Sequence, residues 1–235
     1  MMNKQPLTRQ LPLAFDHDPA TGRDDLIVSE SLGAAVGIID RWPDWPSPVV
    51  ILAGPTGSGK SHLARIWTDR VGARRVDIAR ADPMVLEMAA LGPVLIEDID
   101  RAPFDETALF HLINAVREHG NWLLITTRLW PSAWKVTLPD LASRLKAATV
   151  VEIAEPDEAL LAQVMVKLFA DRQVAVDDRI IDWLVARMER SLAAARAIVT
   201  RIDQLALARG SKITRALAAE VMAEMDAGKG DIEVS

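Results

Sequence analysis

The sequence predicts an α/β fold, a five-stranded parallel sheet with helices on both faces, followed by a small all-helical domain. Three observations carry that expectation. First, short apolar runs at Val49–Ala53, Val94–Asp98 and Trp122–Thr126 alternate with stretches of helical spacing, the pattern of a parallel sheet clad in helices. Second, the octet Gly54-Pro55-Thr56-Gly57-Ser58-Gly59-Lys60-Ser61 fits the phosphate-loop pattern G-x-x-x-x-G-K-[ST] and stands between a strand and a helix, the context that pattern requires. Third, from Pro156 onward the alternation stops, and four amphipathic stretches follow with no strand between them.

Taken in order, residues 1–25 are rich in Pro, Asp, Gly, Thr and Gln and lack either structural period, so they read as an extended, largely disordered tail. Inside it, Leu11, Leu13 and Phe15 alternate after Gln10, and Pro12 limits helix formation. Such a segment suits either docking into a groove on another protein or covering the domain's own core. Residues 26–40 read as a helical lead-in, with Ser29 or Ser31 as caps. Arg41–Pro48, with three prolines and two tryptophans, is a rigid connector.

Val49–Ala53 is continuously apolar, as a strand buried on both faces should be, and His62–Trp67 continues as a helix. Arg75–Ile78 reads as a second strand, and Asp82–Ala90 as a short helix with Pro83 in its first turn. Val94–Asp98 is a strand ending in two carboxylates, Glu106–His119 a helix and Trp122–Thr126 the fourth strand. A short helix around Pro139–Lys146 precedes a fifth strand, Thr149–Ile153. The four terminal helices are expected at Asp157–Arg172, Asp178–Arg190, Leu192–Arg209 and Thr214–Met225, with Asp177, Ser191 and Thr214 at caps or first turns. The resulting division is a tail (1–25), a nucleotide-binding α/β domain (26–154), a helical domain (155–226) and a polar terminal stretch (227–235).

Composition narrows the function. The 235 residues carry net charge −6 with scattered arginines, which argues against a basic nucleic-acid binder reading a specific sequence. There is no cysteine, excluding disulfides, thiolate catalysis and Cys-ligated zinc. No run is long enough to cross a membrane and the N-terminus lacks the apolar core of a signal peptide, so a soluble cytoplasmic protein without membrane partners is expected.

The glycine loop points to a nucleoside di- or triphosphate. Its N–H groups converge on phosphate at a helix N-terminus, Lys60 reaches the β- and γ-phosphates, and the Ser61 hydroxyl ligates Mg²⁺. Glu97 and Asp98 have the placement of carboxylates that hold the metal and orient water, with Glu97 at the metal position. His62 follows the loop and is placed to touch phosphate. His17, His111 and His119 lack metal-ligand spacing. Trp130 and Trp134, four apart, suit a packed helical face or a partner surface.

Together, Gly54–Ser61, Leu95–Asp100, Leu138–Leu145 and Gln10–Phe15 resemble the AAA+ ATPases, and within them the DnaA and Hda group, along nearly the whole chain. The resemblance implies an AAA+ P-loop core with a helical lid, holding ADP or ATP with Mg²⁺. It makes Gln10, Leu11, Leu13 and Phe15 a peptide for the DNA polymerase sliding clamp. Arg144, in Leu-Ala-Ser-Arg-Leu, becomes an arginine finger acting in the nucleotide site of a neighbour, either DnaA or another copy. Arg196 becomes a lid arginine that touches the bound phosphates. No counterpart of the DnaA C-terminal DNA-binding domain is expected. The sequence departs from the group at Glu97, where Asp is usual, and at Arg128, where Asn or Asp is usual; both departures point to weak intrinsic hydrolysis. The implied function is a clamp-borne adaptor that promotes ATP hydrolysis by DnaA and so restrains replication initiation. The alternative is a self-sufficient ATPase motor such as a helicase loader, and a small-metabolite kinase fits less well.

Overall fold

A computed structural model describes residues 27, 30–79 and 83–230; the Gln10–Phe15 segment lies outside the described residues. Five parallel strands, β1 (Val49–Ala53), β2 (Arg74–Arg75), β3 (Val94–Ile96), β4 (Leu123–Thr127) and β5 (Thr149–Glu152), form one sheet in the order β2-β3-β4-β1-β5. β1 lies inside this order and every one of its residues is buried, which is why it reads as unbroken Val, Ile, Leu and Ala. Leu52 of β1 is level with Thr126 of β4, and Ile96 of β3 with Ile125, so the three central strands end together.

The two faces have separate cores. On one, α1 (Glu30–Asp40) and α2 (Lys60–Val71) pack against Val50, Leu52, Leu95 and Leu124. On the other, α3 (Pro83–Leu91), α4 (Glu106–Glu118) and α5 (Pro139–Lys146) cover Val49, Ile51, Ile96 and Ile125. The connector before β1 is fixed by tryptophans: Trp45 stacks on the fully buried Trp67 at 5.2 Å and donates its indole N–H to the Ile38 carbonyl at 2.7 Å. The remaining helices, α6 (Glu158–Asp171), α7 (Asp178–Val185), α8 (Leu192–Arg209) and α9 (Arg215–Gly230), enclose a further core around Phe169, Leu184, Ile202 and Val221.

Several boundaries differ from the sequence expectation. β2 pairs over two residues rather than four, although the Val76 amide still reaches the Leu95 carbonyl. β3 stops at Ile96, because Asp98 turns into a left-handed conformation (φ 46°) and starts a 3-10 turn, Ile99–Arg101. α7 ends at Val185, because its last carbonyls are closed by a tight turn in which the Arg187 and Met188 amides return to Leu184. α9 continues past Met225 to Gly230. The caps at Asp157, Asp177 and Ser191 form as the residue types require, each side chain accepting from an amide in its helix's first turn.

Candidate nucleotide-binding site

The C-terminal ends of β1, β3 and β4 deliver three chain segments to one place, the edge of a parallel sheet where ligands bind in such folds. From β1 comes the glycine loop. A side chain at Gly54 would run into the Ile153 backbone, and Gly57 and Gly59 sit at φ 77° and 104°, so glycine is required at all three positions. Lys60 opens α2 and is 4% exposed; its ammonium donates to the Gly54 and Pro55 carbonyls, each at 2.7 Å. Burial pushes the Lys60 pKa below that of an ordinary lysine, and the nearby Asp98 and Asp100 carboxylates oppose the shift.

β3 supplies the carboxylates. Glu97 pairs with the Arg75 guanidinium from β2, and Asp98 donates its backbone N–H to the Thr126 hydroxyl at 2.9 Å. Ser61, Glu97 and Asp98 line one cavity of about 770 Å³, which continues past Asp77 to Phe104. The hydroxyl and both carboxylates expected around a metal are therefore gathered on common walls. His62, one residue further along α2, is half-buried.

The helical segment closes over the loop. The Leu192 amide, first in α8, donates to the Gly57 carbonyl at 2.9 Å, and a Cβ on Gly59 would touch both Leu192 and Leu32 of α1. One turn on, Arg196 shares the face of Leu192. Its Nε is buried without a hydrogen-bond partner, and burial lowers its pKa from the usual guanidinium value. A buried donor of this kind suits an anion better than an apolar contact. Thus Gly54–Ser61, Glu97, Asp98 and the start of the Arg196 helix converge, while Arg144 lies elsewhere, on α5. Arg144 is half-buried, and its guanidinium makes no ion pair or hydrogen bond among the described residues.

Two participants were missed from sequence. Thr126, fully buried, links the β3 and β4 ends through Asp98, and Asp100 accepts the Arg128 and Leu129 amides. Neither carries a local signal, since each partner is 28 or 29 residues distant. The tryptophan pair is also divided. Trp134 is buried with its indole N–H at 3.2 Å from the Thr127 hydroxyl, whereas Trp130 is 44% exposed just before the 3-10 turn Pro131–Ala133. Among the described residues no helix is long and apolar enough to cross a membrane.

Sheet order, phosphate loop and acidic β3 end together define the class: the chain has the α/β AAA+ fold. Within that class the chain is similar in sequence to a replication initiator, and in fold to replication initiators and to RuvB of Thermotoga maritima alike. RuvB superposes at a TM-score of 0.67 with 15% identity, over 86% of this chain and 71% of that one. The chain is 24% identical over 221 residues to the chromosomal replication initiator protein DnaA of Thermomicrobium roseum, covering 83% of this chain and 46% of that protein. It thus spans about half the length of that relative. Domain III of the Thermotoga maritima replication initiation protein DnaA superposes with a TM-score of 0.72 at 16% identity, over 88% of this chain and 97% of that one. A DnaA bound to AMPPCP and single-stranded DNA superposes at 0.68 with 17% identity, over 92% of this chain and 73% of that one. No protein-family model matches the chain.

Proposed function

We propose that the chain is a nucleotide-holding AAA+ adaptor that docks on the DNA polymerase sliding clamp through Gln10, Leu11, Leu13 and Phe15 and presents Arg144 to ATP-loaded DnaA. The nucleotide is ADP or ATP, cradled by Gly54–Ser61 with Arg196 reaching it from α8. Lys60 and the orphaned Arg196 Nε supply charge for the phosphates, so the residues present fit the ligand. Ser61 and Glu97 would hold Mg²⁺, whose contribution is electrostatic stabilisation of phosphate oxygens. Asp98, whose amide bonds to the Thr126 hydroxyl, would orient water.

The observation that carries this reading is the lack of a counter-charge at Arg144 on α5. Several arginines are tied to carboxylates, Arg75 to Glu97, Arg128 to Asp100, Arg190 to Glu158 and Arg209 to Glu220, whereas Arg196, assigned above to the phosphates, is not. Arg144 has no such partner and sits on a short helix whose buried Leu141 and Leu145 fix its direction. A guanidinium held without a local counter-charge is available to complete a neighbour's phosphoryl-transfer site, where such a group contributes roughly 10³ to 10⁵ in rate.

The test adds the full chain, with clamp loaded on DNA, to ATP-bound DnaA and follows hydrolysis. Stimulation is expected, and Arg144→Ala should reduce it at least a hundredfold while ADP and clamp affinities stay unchanged. Undiminished stimulation by that variant removes the finger assignment. Substantial turnover by the isolated chain favours the self-sufficient motor instead.

A further inference from the structure

The helical segment carries a cationic aromatic cluster to which the proposed function gives no part. Trp183, on α7, is half-buried and packs against the core of that segment. Two guanidinium groups lie over its indole: that of Arg187, 4.7 Å from the ring centroid, and that of Arg215, the first residue of α9, at 5.4 Å. Arg187 also donates from Nη1 to the Trp183 carbonyl at 3.2 Å. Both arginines are exposed, and neither makes an ion pair among the described residues. In the same segment Arg190, Arg201 and Arg209 are paired with Glu158, Glu224 and Glu220.

Because both distances run to one ring, the two charges stand about 10 Å apart at most, close to the Debye length in physiological salt, and act together on an anion. Exposed Arg179 lies one turn before Trp183 on the same face of α7 and extends the cationic row. Asp178 and Asp182, also exposed, form an acidic row along the adjoining side of that helix. The positive surface is thus a narrow track bordered by negative charge. A rigid duplex would set phosphates of its second strand against those carboxylates, whereas a single strand can follow the track alone. The ring points to the class of polyanion. When a guanidinium turns out to a phosphate, the indole face it covered becomes a stacking surface for a base. None of these residues lines the nucleotide cavity.

We propose that the Trp183 surface of the helical segment binds single-stranded nucleic acid without regard to sequence, Arg187 and Arg215 holding backbone phosphates and the indole between them stacking on a base. A guanidinium presents a planar fork of donors matched to phosphate oxygens, and every base offers a ring face, so neither contact selects a sequence.

The test follows the anisotropy of a labelled oligothymidylate titrated with the full chain at several salt concentrations. Binding is expected at low salt and should weaken as salt rises. The double variant Arg187→Gln/Arg215→Gln should weaken it about tenfold or more and flatten the slope of log affinity against log salt by about 1.4, the share of two phosphates on a single strand. Trp183→Leu, which keeps an apolar side chain on the core, should weaken binding severalfold with the slope nearly unchanged. In both variants ADP affinity and melting temperature should stay close to the parent's. Absence of binding by the parent overturns the proposal, as does equally tight binding of the same strand paired with its complement. A double variant that binds like the parent overturns it too. Binding untouched by Trp183→Leu reduces the surface to a bare phosphate site and likewise overturns the nucleic-acid assignment. None of these outcomes bears on the glycine loop, whose own measure is ADP affinity.

Discussion

At the scale of single residues, the site depends on where a side chain is forbidden. Gly57 has φ 77°, and a Cβ there would lie 2.7 Å from the Ser191 Cβ. Gly57→Ala therefore adds about 1–2 kcal/mol of backbone strain to a collision with the first turn of α8. Gly72 provides the control, since at φ 68° it has nothing within 4 Å and its alanine variant bears the strain alone. Both variants should melt lower by several degrees, but Gly57→Ala alone should lose nucleotide affinity, by about tenfold or more in calorimetry. Equal affinities in the two would show that α8 does not touch the loop. This is also the scale at which sequence served unevenly. Lys60, Ser61 and the glycines lie within eight consecutive residues, so their spacing can be read directly. The Asp100–Arg128 and Asp98–Thr126 contacts cross from β3 to β4, and no local pattern records such pairs.

At the scale of elements, α5 is aimed by α4. Asp105 caps α4 through the Thr107 and Ala108 amides, and Glu106 accepts the Thr137 amide at 3.0 Å and the Leu138 amide at 2.7 Å, immediately before α5 begins. Those amides, Thr137 first and Leu138 second, hold the Glu106 pKa below the ordinary carboxylate value. Because the folded pKa is the lower one, this stabilisation is complete above the unfolded carboxylate pKa. It is lost as pH falls through the folded value, so the tie is intact near neutrality. Glu106→Ala should therefore reduce the stimulation that depends on Arg144 severalfold at neutral pH and leave ADP affinity unchanged. Unchanged stimulation would mean that α5 is oriented by Leu141 and Leu145 alone. Helices were the more legible elements, because caps such as Asp157 and Ser191 and a 3.6-residue apolar spacing mark them locally. β2 was overestimated, since the apolar Val76 and Ile78 are buried in the core beyond the stretch that pairs as strand.

At the scale of the molecule, the bond from the Leu192 amide to the Gly57 carbonyl joins the helical segment to the phosphate loop. A ligand that fixes the loop should thus stabilise α8 as well. At a nucleotide concentration about a hundred times Kd, the folded state gains about 2.7 kcal/mol. Amide exchange at Ala194–Ile198 is then expected to slow together with that of Gly57–Ser61. Protection confined to the loop would separate the two bodies energetically. The presence of a sheet followed by helices was readable from the change of periodicity at Pro156. The docking between them was not, because it uses a backbone carbonyl and the absence of side chains, features to which hydrophobic patterning is blind.

The sheet's outer margin also limits how copies of the chain can associate. β2 is the last strand on its side and consists of Arg74 and Arg75, both exposed. An unpaired strand is a ready template for pairing with another chain, but a two-residue edge carrying the exposed Arg74 offers such pairing little length and a repelling charge. Growth by strand addition is disfavoured on that flank.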